Sequence, residues 1–317
     1  MKPHIVIVID TEEEFDWNKG FFREKTGVSH LRFVNRIQSV FNCYNITPVY
    51  LINYPVASQP EGYEPLRKIL LQGRCIIGAH IHPWVNPPFE EEVCSYNSFP
   101  GNLPFSLEST KLEVLCECIE QNFDIRPIIY KAGRYGVGLN TFDILVKQGF
   151  EFDLSYCPHT DYSKEGGPDF TNKTATPHWI DTEKKIFEIP LTVGFEGIFR
   201  TAGPKLYSKL KHGFLEKLHF PGIISHLRLL NRVVLSPEGS NLKEMVRLVR
   251  DQYIDGIRMF SMAFHSPSIE PGHTPYVRSS QDLNDFLSRL QRFFDFFFND
   301  LDGQPSTPEQ IREIYKQ

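Results

Sequence analysis

The sequence predicts an α/β fold: a distorted or incomplete (β/α) barrel of about seven parallel strands, with a helical segment inserted before the last strand. Three observations lead there. Short β-branched runs alternate with longer amphipathic segments, the pattern of parallel strands joined by helical crossovers. The strand runs are almost wholly apolar, as strands buried on both faces are. Three of them end in groups able to hold a metal or move a proton, at the strand ends where parallel α/β folds keep their active sites. A doubly wound open sheet is the alternative architecture.

The first strand is HIVIVID, in which five apolar residues precede Asp10. A helix follows from about Ser29 to Cys43, then the strand TPVYLI and a helix near Glu64 to Leu71. RCIIGAH is the third strand, and a helix over roughly Leu107 to Gln121 leads to the strand RPIIYKAG. A helix from Asn140 to Gln148 and a strand around Phe150 to Leu154 come next. After an irregular stretch the chain reads as the strand KIFEIPLTV, a long helical region to about Asp251, the strand RMFSMAFH and a helix from Ser280 to Phe298. Residues 1–300 therefore read as one domain, with the helical insertion at about 199–252 and a C-terminal tail over 301–317. The tail's turn formers, DGQPSTPEQ, precede one short helical end.

With 317 residues, 41% of them hydrophobic, the chain can bury one large core. A formal net charge of −5 gives no reason to expect nucleic acid as a partner. The five-residue apolar run at the N-terminus is too short for a signal-peptide core, and no stretch is long enough to span a bilayer, so a cytoplasmic location is expected. In that compartment the six cysteines are expected as free thiols, Cys116 and Cys118 included, because residues two apart on a helix diverge.

The chemistry gathers at strand ends. His80 and His82 close the third strand two residues apart, so both rings point to one face, although one ring as ligand with the other supporting the loop is the simpler use. Asp10 ends the first strand, and Glu12 shares its face if the extended geometry persists. A carboxylate after five apolar residues needs a partner, whereas Glu13 and Glu14 read equally well as a solvated acidic turn. His265 ends the last strand. A carboxylate from Asp10 or Glu12 with two imidazoles is a catalytic-zinc ligand set that leaves positions open for water and substrate.

Together VIDTEEEFDW, GAHIHPW, YKAGRYGVG, FDLSYCPH with GGPDF, FEIPLTVGF and FHSPSIEPGHTPYV resemble the polysaccharide deacetylase family, the NodB-homology carbohydrate esterases, and most closely its WalW-type subgroup. The resemblance implies a metal-dependent hydrolase that removes N-acetyl, or sometimes O-acetyl, groups from sugars, with a divalent ion, zinc by preference, as cofactor. It makes Asp10 the general base, Glu12 the carboxylate ligand, His80 the first histidine ligand and His265 the general acid. The family's second histidine stands four residues after the first, where this chain has Trp84, so His82 must supply the second imidazole. Lys131 stands nearest the position of the arginine that orients the base, while Arg134 and Tyr135 offer a guanidinium and an oxyanion-binding amide a few residues on. Trp84, Tyr135, Tyr162 and Trp179 are candidates for an acetyl slot and sugar platforms, and Asp153 and Asp169 for tuning the acid or lining the groove. The rival readings are a catalytically silent saccharide-binding or scaffolding protein on the same fold, and a barrel hydrolase of small amides.

One segment stands apart. Residues 199–235 hold seven cations (Arg200, Lys205, Lys209, Lys211, Lys217, Arg228, Arg232) against the single acid Glu216, and apolar residues at helical spacing predict two amphipathic helices broken near Pro221 and Gly222. They read either as cover for the barrel or as an electropositive lip for an anionic or lipid-linked glycan and for peripheral membrane contact.

Overall fold

The computed structural model describes residues 1–17, 19–203 and 230–316. Seven parallel strands form the main sheet. β1 (His4–Thr11) sits between β2 (Val49–Ile52) and β10 (Met259–His265). From β2 the order runs through β3 (Ile76–Ile81), β4 (Ile129–Ala132) and β5 (Phe152–Asp153) to β7 (Phe187–Glu188). β6 (His178–Trp179) joins β7 antiparallel at the edge.

The stretch expected as one strand, KIFEIPLTV, is split after β7, because Pro190 has no N–H to give to a ladder. Past it, Leu191 N donates to Tyr156 O at 2.9 Å and Thr192 N donates to Ser261 O at 3.0 Å. These two bonds carry the sheet's far side back towards β10, so the sheet curls into an incomplete barrel. β8 (Val193–Glu196) then pairs antiparallel with β9 (Asn231–Val234). The helical insertion expected over 199–252 is therefore interrupted by a strand, since the β-branched pair Val233 and Val234 prefers the extended backbone.

The faces of the strands follow their period of two. Ile5, Ile7, Ile9, Tyr50, Ile77, Ala79, Tyr130 and Phe264 pack in one cluster with the outer helices. Those helices include α1 (Asn35–Cys43), α3 (Pro60–Leu71), which follows the short α2 (Tyr54–Ser58), α4 (Phe105–Phe123) and α5 (Thr141–Lys147). α6 (Leu242–Ile254) and α7 (Ser280–Asp295) complete the layer, each started by a capping box, Asn241 with Glu244 and Ser279 with Asp282. The alternate residues Val6, Val8, Val49, Leu51, Ile129, Phe152 and Phe187 form a second cluster inside the curl. Each fully buried side chain of this kind contributes about 1.5–3 kcal/mol.

The stretch expected as a tail is part of the domain. β11 (Gln304–Pro305) adds to the lower half of β1, and α8 (Pro308–Lys316) sets Ile311 into the inner cluster. The amphipathic helices expected from 199 to 235 fall mostly on residues 204–229, outside the described residues. Of that segment's cations, Arg200 pairs with Asp251 and Asp255, and Arg232 donates to Thr160. Among the described residues no helix is long and apolar enough to cross a membrane. All six cysteines are free, and burial pushes the Cys116 thiol up to about 12.

Candidate metal and catalytic site

Strand parity builds the site. Asp10 follows Val6 and Val8 on the inner face of β1, Lys131 follows Ile129 on β4, and His80 lies on the inner face of β3 with His82 just beyond its end. On β10, His265 is in register with Asp10. All five reach the C-terminal mouth of the curl, where they line a cavity of about 470 Å3 with Glu12.

Both histidines offer the cavity a lone pair. His80 Nδ1 lies 2.9 Å from the backbone O of Lys131, an atom that only accepts, so Nδ1 carries the proton and Nε2 is left bare. His82 Nδ1 donates in the same way to the Glu13 carboxylate, 2.9 Å to Oε2. The two Nε2 atoms lie 3.6 and 3.3 Å from Glu12 Oε2. The three donor atoms fall within 4.8 Å of one another, and Glu12 Oε1 is buried with no hydrogen-bond partner among the described residues. Ligand atoms of a tetrahedral zinc site, with bonds of about 2.0–2.1 Å, lie roughly 3.3 Å apart. Glu12, His80 and His82 therefore fit a divalent ion. Both rings are brought to the site, not one.

Glu13 is not in a solvated turn. It is completely buried, accepts from Asn53 Nδ2 and from Trp84 Nε1 at 3.0 Å, and holds His82 in its tautomer. Burial works to lower the His82 pKa, but the charge and hydrogen bond of Glu13 outweigh it and raise it. Trp84, where the resemblance puts a histidine, stacks on His82 at 4.3 Å. Glu14 is also engaged, accepting from Ser29 Oγ, His30 N and the His30 ring at 2.9, 2.8 and 3.0 Å. Burial would raise its carboxyl, yet these bonds bring it down to about 2.

Two further groups flank the donors. Lys131 Nζ lies 2.7 and 2.6 Å from the two oxygens of Asp10, a buried ion pair. Burial opposes ionisation of Asp10, but Lys131, then His80 and His265, pull it down to about 2. On the other side His265 Nδ1 donates to Glu238 Oε2 at 2.6 Å, which leaves Nε2 facing Asp10 Oδ2 at 3.8 Å. Burial would lower the His265 pKa, whereas Glu238 first, then Glu12 and Asp10, lift it to about 10. Ser268 Oγ donates to the other oxygen of Glu238.

The role of steadying Asp10 thus falls to Lys131 and not to Arg134, whose guanidinium donates to Ser98 Oγ at 2.5 Å and to Glu165. Arg134 and Tyr135 both have left-handed backbone, φ 54° and 59°, a strained turn at the end of β4 of the kind that collects at functional sites. Tyr135 and Tyr162 stack at 5.6 Å and wall the cavity with Trp84, Phe21, Trp17 and Tyr276. Three predicted residues are not brought in. Asp153 is in register with Tyr130 and shares its outer face, where it accepts from Ser155 Oγ at 2.5 Å. Trp179 packs on Phe187 at the sheet edge, and Asp169 is exposed, accepting from Thr171 N.

Sequence reading missed Glu238, Trp17, Phe21 and Tyr276, all on connections with no periodic pattern, and it left Glu13 undecided. For Glu13 a signal existed: in EEE, once the strand has ended, one neighbour of a ligand can turn back to support it.

The sequence matches no protein-family model and no curated protein. Solved structures do share its architecture. Proteins designated polysaccharide deacetylases superpose with a TM-score of 0.56, one from Mycobacterium smegmatis at 13% identity and one from Pseudomonas aeruginosa PAO1 at 16%. Each comparison covers 99% of this chain and 91% of the other. Puue allantoinase superposes at 0.55 with 14% identity, covering 98% of this chain and 89% of that one. At such identities the likeness is one of fold, and the chain has the curled, mostly parallel α/β half-barrel that these proteins have.

Proposed function

We propose that the protein is a metal-dependent hydrolase that removes an N-acetyl, or O-acetyl, group from a sugar, as the motif resemblance to the deacetylases and their WalW-type subgroup implies. One observation carries this reading. Three converging, proton-free donors sit in a single cavity between a tethered carboxylate and a carboxylate-backed imidazole. The neighbours' designations, two as deacetylases and one as an allantoinase, agree with hydrolysis of an acyl or amide bond.

A divalent ion such as zinc, held by Glu12, His80 and His82, supplies polarisation of the acyl carbonyl and acidification of water. Asp10 takes up the proton of the attacking water at a carboxylate oxygen, and Lys131 fixes that carboxylate's position and keeps it ionised beforehand. His265 gives its Nε2 proton to the departing nitrogen. Glu238 keeps the proton there, because Nδ1 is committed to its carboxylate. The strained turn at Arg134 and Tyr135 is where the resemblance puts the amide that meets the oxyanion. The aromatic walls exclude water and offer flat faces to a sugar ring.

The test is zinc content after reconstitution at neutral pH, paired with acetate release from N-acetylated amino sugars. Asp10→Asn and His265→Ala should each keep most of the zinc and lose on the order of 100-fold in turnover. Protein that takes up no metal would refute the reading. Zinc uptake with hydrolysis of small cyclic amides alone would move the substrate class towards the allantoinase. Zinc uptake with no turnover on either would leave a saccharide-binding protein.

A further inference from the structure

A second cavity, about 560 Å3, lies against the first and shares Phe15, Asp16 and Trp17 with it as a common wall. Its acids are already answered. Glu14 takes the three hydrogen bonds described above and lies 3.7 Å from His273, while Asp16 pairs with Lys19 at 3.1 Å. Its two strong cations are not. Lys25 and Arg278 line the cavity, both are exposed, and among the described residues neither enters a salt bridge. The acid nearest Arg278 in sequence, Asp282, uses Oδ2 to accept from the backbone N–H groups of Arg278 and Ser279.

The partition itself carries an unspent donor. Trp17 Nε1 is buried and has no hydrogen-bond acceptor among the described residues, and indole can only donate. The ring stacks on Phe15 at 4.8 Å and meets His265 edge-on at 4.9 Å. A substrate whose leaving group is at His265 therefore has its neighbouring portion against Trp17. Lys25 and Arg278 line the cavity that shares this wall, Arg278 acting on the exposed Asp282 through space without a salt bridge among the described residues.

We propose that this cavity is a subsite for an anionic substituent of the substrate, a carboxylate or a phosphate, held by Lys25 and Arg278 with Trp17 Nε1 as a directional donor. The assignment rests on the deacylase reading of the adjoining cavity. Arginine's planar fork suits either oxyanion, and charge-assisted bonds of this type add strength as well as direction. The substrate class so defined is an acidic amino sugar or a sugar phosphate.

Binding of N-acetylglucosamine, its 6-phosphate and its uronate to the zinc-reconstituted protein tests this by calorimetry. At low salt either anionic sugar should bind roughly tenfold more tightly than the neutral one, the combined scale of two exposed ion pairs and a hydrogen bond. The advantage should shrink as salt screens it over about 10 Å at 0.1 M. Lys25→Ala with Arg278→Ala should remove most of it, to about two- to threefold or less, while leaving zinc content and neutral-sugar binding unchanged, and Trp17→Phe should remove the smaller remainder. A preference for the phosphate alone identifies a phosphate ester, and a preference shared with the uronate identifies a general oxyanion site. No preference in the parent protein, or one that survives the double substitution undiminished, overturns the subsite. An intact preference with no acetate released from any sugar overturns the deacetylase reading instead.

Discussion

Lys131→Met would leave a carboxylate alone inside the protein. The ammonium lies within 2.7 Å of both oxygens of Asp10, and both residues are under 5% exposed. With its partners in place Asp10 titrates at about 2, against an ordinary 3.8. That difference of about two pKa units corresponds to roughly 2.5 kcal/mol of stability at neutral pH. The folded-state pKa is depressed, so this stability is present above pH 3.8 and lost as pH falls towards 2. Removing one partner also leaves the other buried and uncompensated, which costs about 3–5 kcal/mol. At no more than about 2–4 °C per kcal/mol for a large domain, the melting temperature should drop on the order of 10 °C. In the variant Asp10 escapes the penalty by taking up a proton, so the gap between parent and variant should widen with rising pH. Thermal unfolding of the metal-free proteins followed by circular dichroism at pH 5, 6 and 7 measures both effects. Asp10→Asn combined with Lys131→Met should recover part of the loss, because no charge is then left unpaired. A loss below about 1 kcal/mol, or a double variant as unstable as the two single losses added, would refute the argument that the pair is a desolvated unit.

Other expectations follow from the same geometry. Glu13→Gln keeps an acceptor for His82 Nδ1 but removes its charge, so zinc affinity measured by chelator competition should fall about 10- to 100-fold, with Glu12, His80 and His82 untouched. Chelation of the ion should abolish acetate release and lower the melting temperature, and zinc should restore both. Glu108 on α4 is lifted by burial to about 7 from an ordinary 4.5, although a hydrogen bond from Thr141 opposes the shift. Its folded-state pKa is raised, so stability is full below pH 4.5 and is lost, by about 3 kcal/mol, as pH rises through 7. Glu108→Gln should therefore gain on its parent by about that amount between pH 4.5 and 8, whereas parallel stability curves would remove Glu108 as the cause.

The strands were legible because burial on both faces leaves runs such as HIVIVID with no other reading. Period two then put His80 with His82, and Asp10 with Val8, on one inner face. The same period separates Lys131, two places from Ile129, from Arg134, which lies beyond the strand in a left-handed turn. It also puts Asp153 on the outer face with Tyr130, but only once the β4–β5 register is known. Glu238 gave no signal: SPEGS is a turn sequence, and its carboxylate meets His265 through the tertiary placement of β9 against β10. β9 was hidden because Leu230 continues the helical spacing of the residues before it. Asp169 and Trp179 lie in short polar or irregular stretches, where spacing does not define a face.

The pairing of β1 with β10 also sets an order of assembly. His4 lies beside Met259 and Asp10 beside His265, so β1 must wait for this partner until some 255 residues later. At about 5–20 residues per second of synthesis, that wait is roughly 13–50 s. Glu12, His80 and His82 all leave the ribosome early in that interval, and the imidazole that faces Asp10 leaves near its end. A nascent chain thus has Glu12, His80 and His82, the proposed metal donors, long before it has His265, the proposed acid. On the proposed reading the site is completed last, by the strand that gives β1 its second neighbour.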